Sequence, residues 1–274
     1  MLPCPTVYVR ELMTMRLLFL SAVLLCPSAL TAQDVVTTAS SPASEFADGP
    51  PSVQDLLESS RDAALKKWSR SIDAFDTLNT TETDPADAVL FIGSSSIRRW
   101  ETMAADMAPY STIRRGYGGA KYTDMAVFVD RIVTPHTYRA IVMFVGNGVV
   151  GKPDGHTPEM IETLTRHIVD VAHRHQPQSP FFLIEITPCQ KRFDAWPKIR
   201  AVNARLREVA LTTPNTYFIP TAGHYLNADG SPRSELFVSD QLHLNEAGYQ
   251  LWASLIRRHL NDFLPAADDS TRSE

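Results

Sequence analysis

Three consecutive serines, Ser94-Ser95-Ser96, and a distant carboxylate and imidazole in Asp240-Gln241-Leu242-His243 are the residues of this chain best suited to covalent chemistry. A serine hydroxyl becomes a nucleophile when an imidazole takes its proton. A carboxylate on the far ring nitrogen holds that imidazole in the right tautomer. The order Ser, Asp, His along the chain suggests hydrolysis by acyl transfer, with Ser95 as nucleophile, His243 as base and Asp240 as orienter. Serines at a strand-to-helix junction also serve as helix N-caps, and Ser94 and Ser96 fit that duty as well as a chemical one. An imidazole of ordinary basicity predicts a limb of activity at about pH 6 to 7.

The serines follow Ala88-Val89-Leu90-Phe91-Ile92-Gly93, an apolar run that ends in a glycine turn and reads as a buried strand. The strand candidates are 89–93, 112–115, 140–145, 181–186 and 216–220. Between them, apolar residues at helical spacing predict helices over 97–107, 122–133, 158–175 and 196–210. One helix (53–78) precedes the first strand and another (244–260) closes the chain. Thr157-Pro158 is a capping residue followed by proline at the first helical position. Strands that are apolar on both faces and alternate with helices form a parallel sheet covered on both sides. The expected fold is therefore α/β, a three-layer α/β/α sandwich on five parallel strands. In such sheets ligands bind at the C-terminal ends of the strands, where the serines stand.

The chain has 274 residues, enough for one core-forming domain over 53–265. Its net charge of -5, with scattered cations, provides no basic field and disfavours nucleic acid as a partner. Met15-Arg16 followed by Leu17-Leu18-Phe19-Leu20 and a small-residue exit at Ala32 reads as an export signal over 1–32. The run is too short to span a bilayer, so no integral span is expected in the mature chain. Translation from Met15 is an alternative start. Export implies a periplasmic or secreted protein. Leu25 before Cys26 is bulky where lipoprotein processing takes a small residue, which argues against lipidation. Residues 33–52 are rich in Ser, Thr, Ala and Pro and read as a flexible linker, and 266–274 as a disordered tail. Of the three cysteines, at 4, 26 and 189, only Cys189 would survive processing, so no internal disulfide is expected. Cys189 lies without a flanking histidine and reads as a half-buried structural thiol. His167, His173 and His175 invite a metal reading, but the last two end a predicted helix, where a solvated, dipole-facing role is expected and no metal site.

Taken together, these motifs resemble the SGNH hydrolases, also called GDSL-type esterases and lipases. Gly93-Ser94-Ser95-Ser96-Ile97-Arg98-Arg99-Trp100 is similar to a subgroup with Gly-Ser-Ser in place of Gly-Asp-Ser. Ser95 then takes the nucleophile position and Ser94 that of the family's aspartate. Arg115-Gly116-Tyr117-Gly118-Gly119 resembles the second motif, which implies that the Gly119 N–H joins that of Ser95 in the oxyanion hole. Asp240 and His243 match the closing Asp-x-x-His, and Leu244-Asn245-Glu246-Ala247-Gly248-Tyr249 continues the similarity. The third motif departs from the family: Gly-x-Asn-Asp is replaced by Gly146-Asn147-Gly148-Val149. A gapless match puts Gly148 where the donor asparagine belongs, at a cost of about 3 kcal/mol in transition-state stabilisation. Alternatively a one-residue shift, permitted by the flanking glycines, brings Asn147 into the pocket. Ser94, Tyr117, Gly148, Arg192 and Trp196 are the further candidates for lining it.

The resemblance implies an exported serine esterase for short, acetyl-type esters, carbohydrate esters among them, needing no metal or organic cofactor. A weakened or inactive relative that binds a carbohydrate or small ligand is the alternative that Gly148 and Val149 motivate. Lysophospholipase or thioesterase activity would differ only in substrate.

Overall fold

A computed structural model describes residues 51–149 and 155–264. The export signal, most of the linker and the C-terminal tail expected from the sequence lie outside these residues. The first described helix, α1 (Val53–Thr81), starts at the linker's end, where Ser52 and Asp55 form a reciprocal capping box. Five strands follow: β1 (Val89–Gly93), β2 (Thr112–Gly116), β3 (Ala140–Phe144), β4 (Phe181–Ile184) and β5 (Thr216–Ile219). They pair in parallel in the order β2-β1-β3-β4-β5. This is the flavodoxin-like arrangement, and its strand order reverses between β1 and β3.

The two-residue period of the strands divides their side chains between two cores. Leu90, Ile92, Ile141, Met143, Phe181 and Leu183 face one layer of helices, formed by α1, α4 (Tyr122–Val133), α5 (Pro158–His175) and α6 (Trp196–Thr212). Val89, Phe91, Val142, Phe144, Phe182 and Ile184 face the other, where α7 (Glu246–Phe263) packs. The α/β sandwich read from the sequence is thus the observed fold. Among the described residues no helix is long and apolar enough to cross a membrane.

Two elements differ from expectation. The helix expected over 97–107 is broken into α2 (Ser95–Arg98) and α3 (Met103–Asp106). Trp100 is fully buried between Phe91, Tyr249 and Trp252. Its indole N–H donates to Asp106 Oδ2 at 2.7 Å, and the Thr102 hydroxyl donates to the same oxygen at 2.6 Å. Those bonds turn the chain between the two short helices. Strand β4 ends two residues early because side chains take over its backbone. Asn203 accepts from Ile186 N–H at 2.9 Å and donates to Ile186 C=O at 3.1 Å. The Glu185 carboxylate accepts the N–H groups of Thr221 and Ala222. This clamp fixes the path of the chain beyond β4.

The histidines at the end of α5 are held by the fold rather than simply solvated. His175 Nε2 meets His136 C=O at 2.8 Å, and the His173 ring packs edge-on against Phe181.

Candidate active site

Strand β1 delivers the serines through a turn that only glycine allows. Gly93 has φ +147°, and a Cβ there would lie 2.1 Å from Phe144 C=O on the neighbouring strand. Ser94 N–H donates to that same carbonyl at 3.0 Å. Ser95 consequently opens α2 at the C-terminal end of the sheet, beside the point where the strand order reverses.

The loop before α7 brings His243 to Ser95. His243 Nε2 lies 2.9 Å from Ser95 Oγ, and its Nδ1 lies 2.7 Å from Asp240 Oδ2. A carboxylate can only accept, so Nδ1 carries the proton and Nε2 accepts from the serine hydroxyl. The other oxygen of Asp240 accepts the N–H groups of Leu242 and His243, each at 2.9 Å. The turn requires Gln241 in the left-handed region, φ +54°. It is anchored by Val238 N–H to His243 C=O and Lys191 N–H to Gln241 C=O. Partial desolvation opposes ionisation of Asp240. The two backbone N–H groups and the His243 ring outweigh it and hold the carboxyl down at about 2. The carboxylate therefore stays charged wherever the imidazole can act as a base. Arg99, 3.7 Å from Asp240 Oδ2, adds a weak, exposed attraction.

Ser95 and His243 open on a cavity of about 30 Å³. That is room for about two water molecules. Its walls are mainly apolar: Phe144, Ile186, Ile199, Phe237, Leu242 and Trp252. Polar groups come from Ser94, Ser96, Asn147, Thr187 and Arg192. Ser94 is buried and stands at the α2 N-cap position without a side-chain capping bond. Ser96 C=O accepts from the Tyr249 hydroxyl. Arg192 reaches the cavity from the turn after β4 and donates to Gly146 C=O and to Asn147 Oδ1, each at 2.5 Å.

Three residues expected at the pocket stand elsewhere. Tyr117 continues the side of β2 that carries Ile113, so it is buried under α1, edge-on to Trp68 and Phe75. Trp196, half-buried at the start of α6, packs on the same core. Gly148 faces His156 rather than the cavity. Gly119, the expected partner of Ser95 in the oxyanion hole, adopts φ +81° in the turn before α4, and a Cβ there would lie 3.5 Å from the Trp68 ring.

Cys189 is more buried than expected and lines the cavity, where desolvation pushes its thiol up despite Arg192 nearby. That shift disfavours a nucleophilic thiolate. Sequence reasoning missed Phe144, Thr187 and Trp252. The first two stand at or just beyond strand C-terminal ends, a position that points to ligand contact. Trp252 carried only the helical period of α7.

Comparisons with known proteins agree with this fold. The model of the GDSL-like Lipase/Acylhydrolase family matches residues 81–251. No curated protein matches the chain. Among solved structures, a Streptococcus pneumonia protein provisionally named a platelet activating factor superposes with a TM-score of 0.63. The two are 18% identical, over 76% of this chain and 100% of that one. A GDSL-like lipase from Bacteroides thetaiotaomicron gives 0.59 at 17% identity, over 70% and 97% of the two chains. A provisionally assigned acylhydrolase from Bacteroides fragilis gives 0.60 at 19%, over 73% and 97%. At these identities the likeness extends to the fold.

Proposed function

The chain belongs to the GDSL-like lipase/acylhydrolase family, and from that premise we propose that it is an exported serine esterase cleaving short-chain, acetyl-type esters. The observation that carries the reading is the unbroken relay from Asp240 through His243 to Ser95, with bonds of 2.7 and 2.9 Å, opening on a cavity. Ser95 Oγ attacks the ester carbonyl as its proton passes to His243 Nε2. The carbonyl oxygen becomes an oxyanion, met by the N–H groups of Ser95 and Gly119 and by the Asn147 amide. His243 returns the proton to the departing alcohol, leaving an acyl-enzyme on Ser95. Water then attacks that ester with His243 again as base, and the carboxylic acid leaves. Asp240 remains ionised throughout.

A cavity with space for about two waters favours an acetyl over a long acyl chain. Carbohydrate O-acetyl groups are the substrates we place first. The test is hydrolysis of p-nitrophenyl esters by wild type and Ser95→Ala. Acetate should be cleaved fastest, butyrate more slowly and octanoate least, all lost in the variant. Equal rates in both proteins would remove the esterase reading, and a preference for octanoate would move it to long-chain lipids. Release of acetate from an acetylated sugar tests the alcohol side. Export supported by the N-terminal apolar run predicts recovery in the periplasm or medium.

Gly148, in place of the third-motif asparagine, favours a second reading, a ligand-binding protein of the same fold with little turnover. Saturable binding of an acetylated sugar without Ser95-dependent hydrolysis would support it.

A further inference from the structure

The chain lacks an asparagine at 148, and the space beside Gly148 is filled. Gly148 has φ +88°, and an atom in its Cβ position would stand 3.0 Å from Nδ1 and 3.4 Å from Cε1 of His156. His156 is buried, and its backbone N–H donates to Gly148 C=O at 3.0 Å. A side chain at 148 would have to displace that ring. Asn147, one residue earlier, does line the cavity shared with Ser95.

An asparagine amide stabilises an oxyanion only through its NH₂ group, so its orientation decides what it can do. Arg192 settles that orientation. A guanidinium has donors and no acceptor, so the Asn147 atom 2.5 Å from Arg192 Nη2 must be the carbonyl oxygen. The second arm of the guanidinium, Nη1, donates to Gly146 C=O at 2.5 Å. Arg192 thus grips two successive residues in the loop beyond β3, which fixes the backbone as well as the amide. Nδ2 is turned to the other side of the amide, and donation from a cation to Oδ1 makes its N–H groups better donors.

We propose that Arg192 is a positioning residue that holds the Asn147 amide as the third oxyanion donor, in place of the side chain missing at 148. The proposal rests on the esterase reading of Ser95. Arg192→Met keeps the aliphatic stem and removes both bonds. It should lower kcat for p-nitrophenyl acetate by about 100-fold with KM within about two-fold, as should Asn147→Ala. The double variant should be no slower than either single one, because both remove the same interaction. Arg192→Lys, which keeps a cationic donor nitrogen but loses the two-armed fork, should recover part of the rate. Multiplied losses in the double variant would overturn the proposal. So would a raised KM at unchanged kcat, which would make Arg192 a direct substrate contact, or a lowered melting temperature with kcat intact.

A second readout is independent of turnover. The side-chain ¹H–¹⁵N pair of Asn147, identified by its absence in Asn147→Ala, should shift in Arg192→Met, or in Arg192→Lys if the former does not fold. An unmoved pair would overturn the proposal. Absence of Ser95-dependent hydrolysis in wild type would instead remove the esterase reading, with the amide signal still reporting on Arg192.

Discussion

Replacing Asp240 by asparagine and by alanine separates the chemistry of this carboxylate from its structural work. Its Oδ1 holds the turn through Leu242 and His243 N–H, and its Oδ2 faces the imidazole at 2.7 Å. In Asp240→Asn the amide oxygen keeps both backbone bonds, so the NH₂ group meets Nδ1. The ring must then carry its proton on Nε2 and point it at Ser95, where it cannot act as base. Reversing the tautomer in this way costs about 10⁴ in kcat, roughly 5 kcal/mol. In Asp240→Ala the side chain is gone, but the carboxylate is 40% exposed, so water can replace it as acceptor from Nδ1. The loss is then that of one charge-assisted hydrogen bond, about 1.5 to 3 kcal/mol, or about 10- to 150-fold. Stability should follow the opposite order, because only alanine releases the turn. Initial rates of p-nitrophenyl acetate hydrolysis and thermal melts of the three proteins measure both. If the asparagine variant is as active as the alanine variant or more so, the assigned tautomer and the role of Asp240 are refuted.

Gly93→Ala should destabilise the fold by on the order of 3 kcal/mol, since its Cβ would lie 2.1 Å from Phe144 C=O at φ +147°; urea unfolding measures this, and an unchanged midpoint would contradict the account of the serine turn. Trp252→Ala, at a fully buried ring packed edge-on against Phe144 at 4.8 Å, should cost about 3 to 5 kcal/mol by the same assay. Burial lowers His136, His156, His167 and His173 from the ordinary 6.5. As pH falls through that value the unfolded chain binds more protons than the folded one, so these groups favour folding above about pH 6.5 and oppose it below. The urea midpoint should be lower at pH 5 than at pH 7.5, and a rise on acidification would contradict this.

Most of the sheet was legible because β1, β3 and β4 are apolar on both faces, so a continuous run such as 88–92 admits little besides a buried parallel strand. The helix over 97–107 was misread because its period could not show that Trp100 would turn inward and recruit Asp106. Tyr117 was open to a better reading: the alternation Ile113, Arg115, Tyr117 continues β2 and places the ring under α1. Ser95, His243 and Asp240, which lie within hydrogen-bond distance of one another along the relay, stood out by residue type and order alone. The grip of Arg192 on Asn147 did not, because it joins two residues 45 positions apart in the segments that follow β3 and β4, and no local pattern marks either partner.

The central claim, that Ser95 is the nucleophile of a working relay, is tested most directly by locating the adduct of a fluorophosphonate probe. Peptide mass spectrometry after treatment at neutral pH should find the phosphonyl group on Ser95, with hydrolysis lost in proportion to labelling and neither effect in His243→Ala. Modification of Ser94 or Ser96 instead, or full labelling with undiminished hydrolysis, would contradict it.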